Sequence, residues 1–96
     1  MYKIMIADDE PIALDSLKTF PWSDHQGCVT CFAENGLNAL HTLESEKVDI
    51  LISDIRMPGM NGLELSKAVK ERSPETEIIL LTGYAEFEYA KQALSL

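Results

Sequence analysis

An α/β domain built on a parallel sheet is what this sequence predicts, and three observations carry the prediction. Four short apolar runs alternate with stretches patterned at helical spacing. The third run, Val48 to Ser53, is almost continuously apolar, as a parallel strand covered on both faces should be. Turn-forming residues separate the runs from the helical stretches, so the order reads βαβαβαβα, which folds into a parallel sheet with helices on both faces.

The first strand is Lys3-Ile4-Met5-Ile6-Ala7, closed by Asp8 and Asp9. Pro11 suits the first turn of a helix and Asp9 is placed to cap it. Ile12, Leu14, Leu17 and Lys18 continue that helix towards Phe20, and Pro21 ends it by disfavouring helix in the residue before it. Ser23 to Gly27 reads as a polar loop leading into the second strand, Cys28 to Ala33. Glu34-Asn35-Gly36 is a turn, after which Leu37, Leu40 and Leu43 recur along a second helix. His41 falls among polar neighbours on that helix and is read as a solvated surface residue.

The third strand ends at Asp54, and Met57-Pro58-Gly59-Met60-Asn61-Gly62 forms a rigid double-turn loop. A third helix follows, with Leu65, Ala68 and Val69 on one face and Lys67, Lys70, Glu71 and Arg72 on the other. Ser73-Pro74 stops it. Glu77 to Thr82 is a fourth strand, Gly83 a turn, and Glu86 to Leu94 a fourth helix carrying Phe87, Ala90 and Leu94.

The bulk composition excludes several classes. With 96 residues, 46% hydrophobic and 25% charged, the chain suits one folded domain. A net charge of −8, from 16 acidic and 8 basic residues, argues against gripping a phosphate backbone directly. No apolar stretch approaches a membrane span and the amino terminus lacks a signal pattern, so a cytoplasmic protein is expected. Cys28 and Cys31 form a C-x-x-C, but inside a strand rather than at the start of a helix. Their odd spacing predicts side chains on opposite faces, and His25 and His41 supply no second ligand pair for zinc. Two ordinary strand residues are the expectation.

Chemistry is expected where three carboxylates meet. If the first and third strands are neighbours, Asp8, Asp9 and Asp54 converge at the carboxyl edge of the sheet, where open α/β folds bind ligands. Each alone could simply cap a helix or end a strand. Three together repel unless a cation neutralises them or their pKa values rise, and hard carboxylate oxygens suit Mg²⁺.

These residues carry a resemblance. Ala7-Asp8-Asp9-Glu10, Ser53-Asp54-Ile55-Arg56-Met57-Pro58-Gly59-Met60-Asn61-Gly62 and Leu80-Leu81-Thr82-Gly83-Tyr84 occur in order across nearly the whole chain. In them the chain resembles the receiver domains of two-component response regulators. The resemblance implies a flavodoxin-like (CheY-like) doubly wound sheet of order 2-1-3-4. It also implies that Asp54 takes a phosphoryl group from a sensor histidine kinase. Asp9, Asp54 and the main-chain carbonyl of Arg56 would bind Mg²⁺ directly, with Asp8 acting through a water and Thr82 contacting a phosphoryl oxygen. Such a domain is a phosphoacceptor rather than a turnover enzyme. Arg56 and Tyr84, each two residues beyond a site residue, either restrict water and slow loss of the phosphoryl group or are two loosely packed surface side chains.

The stretch Thr82 to Leu94 is similar to receivers joined to AraC-type DNA-binding domains, which implies control of transcription through an output domain outside this sequence. Receiver domains continue into a fifth strand ending in a lysine that pairs with the phosphoryl group. Here Lys91 belongs to a predicted helix and Lys3 begins the first strand, so neither replaces it. The expectation is a receiver spanning residues 1–96, truncated before the fifth strand and fifth helix, that binds Mg²⁺ but is weak in phosphoryl chemistry. An uncovered edge of strand four, with Leu80, Leu81, Ala90 and Leu94 nearby, would then favour a homodimer or swapped assembly.

Three rival classes fit parts of this pattern. A haloacid-dehalogenase-type phosphatase needs a second acid where Arg56 stands. A dinucleotide or flavin binder needs a glycine-rich loop after strand one, and none is there. A non-phosphorylatable interaction or dimerisation module with a vestigial acidic site is the alternative that the missing lysine permits.

Overall fold

A computed structural model describes residues 1–81 of the chain. They form β1 (Tyr2–Ala7), α1 (Pro11–Thr19), a 3₁₀ turn (Trp22–His25), β2 (Gly27–Ala33), α2 (Gly36–Leu43), β3 (Ile50–Asp54), α3 (Gly62–Arg72) and β4 (Glu77–Leu81). The four strands lie in the order β2-β1-β3-β4, and each neighbouring pair is parallel. The predicted fold class and strand order are those observed. Thr82, Tyr84, the predicted fourth helix and Lys91 lie outside the described residues.

Alternation along the central strands explains why both are apolar throughout. Met5 and Ala7 of β1 join Leu51 of β3 in one cluster, completed by Ala39 of α2 and by Leu65 and Val69 of α3. Ile4 and Ile6 join Ile52 in the opposite cluster, completed by Leu14 of α1. Successive residues thus serve opposite faces, α1 covering one and α2 with α3 the other. Among the described residues no helix is long and apolar enough to cross a membrane.

Several details differ from the sequence reading. β3 is assigned from Ile50 rather than Val48, although Asp49 already bonds both neighbours: its amide donates to Lys3 and its carbonyl accepts from Glu77. The expected polar loop after Pro21 is a 3₁₀ turn, because Trp22 turns inward, packs on the α1-side cluster and donates its indole N–H to the Leu17 carbonyl. Leu37 and Ile12 are exposed, and Ala39 supplies the fully buried contact of α2.

The cysteine pair also departs from simple alternation. Between Ile4 and Met5 the β1–β2 register slips, so that Val29 faces Ile4 but Cys31 faces Met5 and Thr30 is the extra residue. Val29 accordingly packs with the α1-side cluster and Cys31 with the opposite one. Such a bulge shifts the phase of the strand by one residue, so odd spacing no longer separates Cys28 and Cys31 to opposite faces. Both cysteines are free thiols, Cys28 exposed and Cys31 half-buried, where burial pushes its thiol pKa up.

Candidate functional site

The three acids end adjacent central strands, and register brings them together. Ala7 pairs with Ser53 across β1 and β3, so Asp8 and Asp9 leave one strand beside the point where Asp54 closes the next. One carboxylate oxygen from each of Asp8, Asp9 and Asp54 lies within 4.8 Å of the others. Among the described residues this is the one cluster of three metal-ligating side chains. Asp8 is buried, Asp54 half-buried and Asp9 exposed, so the cluster opens to solvent on one side.

Each acid is held differently. The Asp8 amide donates to the Ala33 carbonyl of β2 at 3.0 Å. Its Oδ1 accepts the Glu10 amide at 2.9 Å, a short turn in which a side chain bonds the backbone two residues on. Asp9 therefore does not cap α1: Glu10 holds the N-cap position without a side-chain bond, and Pro11 begins the helix with no amide to satisfy. The Asp9 carboxylate is left for the cluster. The backbone of Asp54 is fixed by the Ser53 hydroxyl, which donates to the Asp54 carbonyl at 2.9 Å.

Electrostatics single out Asp54. Burial, and then the negative charge of Asp8, push its carboxyl pKa up, with Asp9 adding in the same direction. Main-chain N–H groups of Arg56 and Ile55 act the opposite way. A carboxylate disfavoured in its charged form by like charges is one that a cation stabilises. The donor set is entirely hard oxygen, which suits Mg²⁺. Ligands opposite each other on octahedral Mg²⁺ are about 4.2 Å apart, from metal–oxygen bonds of about 2.1 Å. A spread of up to 4.8 Å is close to that, so the three oxygens fit one Mg²⁺ with little side-chain adjustment.

The loop after β3 is positioned by contacts that sequence reasoning did not single out. Asn61 and Glu64 form a reciprocal capping box, 2.8 Å and 3.1 Å, that starts α3. The Gly62 amide donates to the Ile55 carbonyl at 2.8 Å. A side chain at Gly62 would overlap the Asp54 carbonyl oxygen and stand 2.9 Å from the Ile55 α-carbon. Gly36, at the start of α2, meets the backbone of Met60 just as closely. Nothing in a turn signal such as Asn35-Gly36 announces which backbone the glycine will touch. Arg56 is exposed, and Thr82, the remaining predicted site residue, lies outside the described residues.

A parallel sheet with three acids at the carboxyl ends of its two central strands defines a receiver-type α/β domain. The chain belongs to the response regulator receiver domain family, whose description matches residues 4–96. It is 43% identical over 95 residues to the uncharacterized transcriptional regulatory protein YesN of Bacillus subtilis (strain 168), a match covering 98% of this chain and 26% of that protein. The receiver domain of AraT, a response regulator from Geobacillus stearothermophilus, superposes with a TM-score of 0.90 at 38% identity, covering 98% of this chain and 74% of that one. A two-component transcriptional regulator, AraC, from Clostridium phytofermentans ISDg superposes at 0.89 with 30% identity, covering 97% and 73%. The chain thus spans about a quarter of the curated relative's length, and it is a receiver domain of two-component signalling.

Proposed function

We propose that Asp54 accepts a phosphoryl group from a sensor histidine kinase, and that the modified domain regulates a transcriptional output domain in the cytoplasm. The observation that carries this reading is the convergence of Asp8, Asp9 and Asp54, with Asp54 half-buried at a strand end and its carboxylate disfavoured by its neighbours. Asp9, Asp54 and the Arg56 carbonyl would hold Mg²⁺, and Asp8 would support it through a water. When bound, the metal supplies charge neutralisation for a phosphoryl group approaching an acidic site.

The chain's own residues do the rest. An Asp54 oxygen attacks the phosphorus of the kinase phosphohistidine, a P–O bond forms as the P–N bond breaks, and the histidine leaves with its electron pair. In its carboxylate form Asp54 needs no general base. The fixed backbone at Ser53 and Gly62 limits the directions its side chain can take. Thr82 would donate to a phosphoryl oxygen. The transcriptional role is supported by relatives described as transcriptional regulators. The domain is read as a phosphoacceptor consumed and restored in signalling, not as a turnover enzyme.

Beryllofluoride with Mg²⁺, a stable mimic of a phosphorylated carboxylate, tests the assignment. The fluorine resonances of bound beryllofluoride are expected with the parent protein and absent with Asp54→Asn. Equal binding by both proteins would move the phosphoacceptor elsewhere.

A further inference from the structure

Asp8 and Asp54 belong to a closed ring of backbone contacts. From Ala7 and Asp8 the ring crosses to β2 through the Asp8 amide and the Ala33 carbonyl. It follows the chain through Glu34 and Asn35 to Gly36, where α2 begins. There it crosses to Met60 and runs through Asn61 to Gly62, which touches Asp54 and Ile55. Pairing of Ser53 with Ala7 closes it. The crossing at Gly36 is a packing contact: a β-carbon there would overlap the Met60 carbonyl oxygen and stand 2.9 Å from the Met60 β-carbon. The backbone of Gly36 is not in the left-handed region, so the glycine is needed for space and not for conformation.

We propose that Gly36, though distant in sequence from Asp8, Asp9 and Asp54, is a positioning residue for the acidic site. It allows the start of α2 to brace the loop from Met57 to Asn61, and through it the Arg56 carbonyl and the Asp54 backbone. This rests on the metal-binding reading above. The clash that alanine introduces is with backbone oxygen, which no side-chain rotation relieves, so the loop itself must move. Mg²⁺ demands near-ideal octahedral geometry, and a ligand displaced by several tenths of an ångström is a poor one. Losing a residue that orients metal ligands typically weakens binding about 10- to 100-fold.

The test compares the parent, Gly36→Ala and Thr76→Val, the last altering a buried residue next to Val48, away from the acids. Mg²⁺ affinity is measured by calorimetry, and backbone amide shifts are recorded without metal. Gly36→Ala is expected to bind Mg²⁺ about tenfold more weakly or worse, with metal-free shifts changed across residues 55–62. Thr76→Val is expected to lose stability but keep the parent affinity. Parent-like affinity and parent-like shifts at 55–62 in a folded Gly36→Ala protein overturn the proposal. If Gly36→Ala does not fold, Met60→Gly loosens the same contact, and unchanged affinity in that variant overturns it equally. A parent protein that does not bind Mg²⁺ refutes the metal-site reading, while the metal-free shifts still decide whether Gly36 positions the loop.

Discussion

Replacing Asp54 by asparagine is expected to stabilise the metal-free domain and at the same time abolish its response to Mg²⁺. The carboxylate oxygens of Asp8, Asp9 and Asp54 approach within 4.8 Å. At that distance two unit charges repel by about 3.5 kcal/mol at an effective dielectric of 20 and about 0.9 kcal/mol in bulk water. Asp54 is half-buried and Asp9 exposed, so solvent screening places the relief nearer the lower figure, about 1 to 1.5 kcal/mol. Asparagine keeps an oxygen able to accept the amides of Arg56 and Ile55, so little is lost against that gain. In a domain of this size 1 kcal/mol corresponds to about 4–8 °C in Tm.

The pH dependence fixes the sign. Because folding raises the Asp54 pKa above its ordinary 3.8, the folded state holds that proton more tightly than the unfolded chain. The associated stability is fully present below 3.8 and is lost as pH rises through the folded-state pKa. Parent and variant should therefore be alike near pH 3 and diverge towards pH 7, the variant becoming the more stable. Urea unfolding followed by the fluorescence of Trp22, the single tryptophan, measures this in chelator at low salt. Adding Mg²⁺ at tenfold its Kd should stabilise the parent by about 1.4 kcal/mol. The variant should gain no more than sodium chloride of equal ionic strength provides. A variant no more stable than the parent at pH 7 without metal, or one gaining equally from Mg²⁺, refutes the reasoning.

Two further predictions concern the scaffold. Asn61→Ala removes the reciprocal cap of α3 and should cost about 1 kcal/mol in urea unfolding, with a smaller loss for Asn61→Ser, which can still cap. Cys28 should react with a maleimide well before Cys31, whose thiol is half-buried with its pKa pushed up; comparable rates would show that β2 opens at the Thr30 bulge.

The order of elements and the face of each central residue were legible because periodicity reports burial, and β1 and β3 are buried on both faces. The convergence of the three acids was legible for the same reason: each follows a buried strand whose end is visible as a change from apolar to charged. The bulge at Thr30 was not, since one extra residue inside Cys28-Val29-Thr30-Cys31-Phe32 leaves no compositional trace. The cap of α1 was misread because Asp9 has the right residue type. The backbone instead uses Asp8 for a local turn, a choice that depends on where the strand releases the chain. Gly36 and Gly62 were readable only as turn residues, because what they approach belongs to other segments.

Repulsion among the acids could be relieved by splaying the strand ends, but the residues beside them are among the most buried in the domain: Ala7 and Ser53 at 0% and Ile55 at 1% exposure. Splaying would expose side chains whose burial stabilises by about 1.5–3 kcal/mol each for the larger ones, such as Ile6, Leu51 and Ile55. That exceeds the repulsion, so the backbone stays and the strain remains electrostatic. Charge can then be relieved in two ways, by protonation or by a cation. Protonation relieves the charge only as pH falls, whereas a cation relieves it without a proton. Cation binding therefore needs little rearrangement of the strand ends and draws on repulsion the fold cannot otherwise release. Braces such as Gly36 and Gly62 matter because a site that relaxes its geometry before the cation arrives forfeits that advantage.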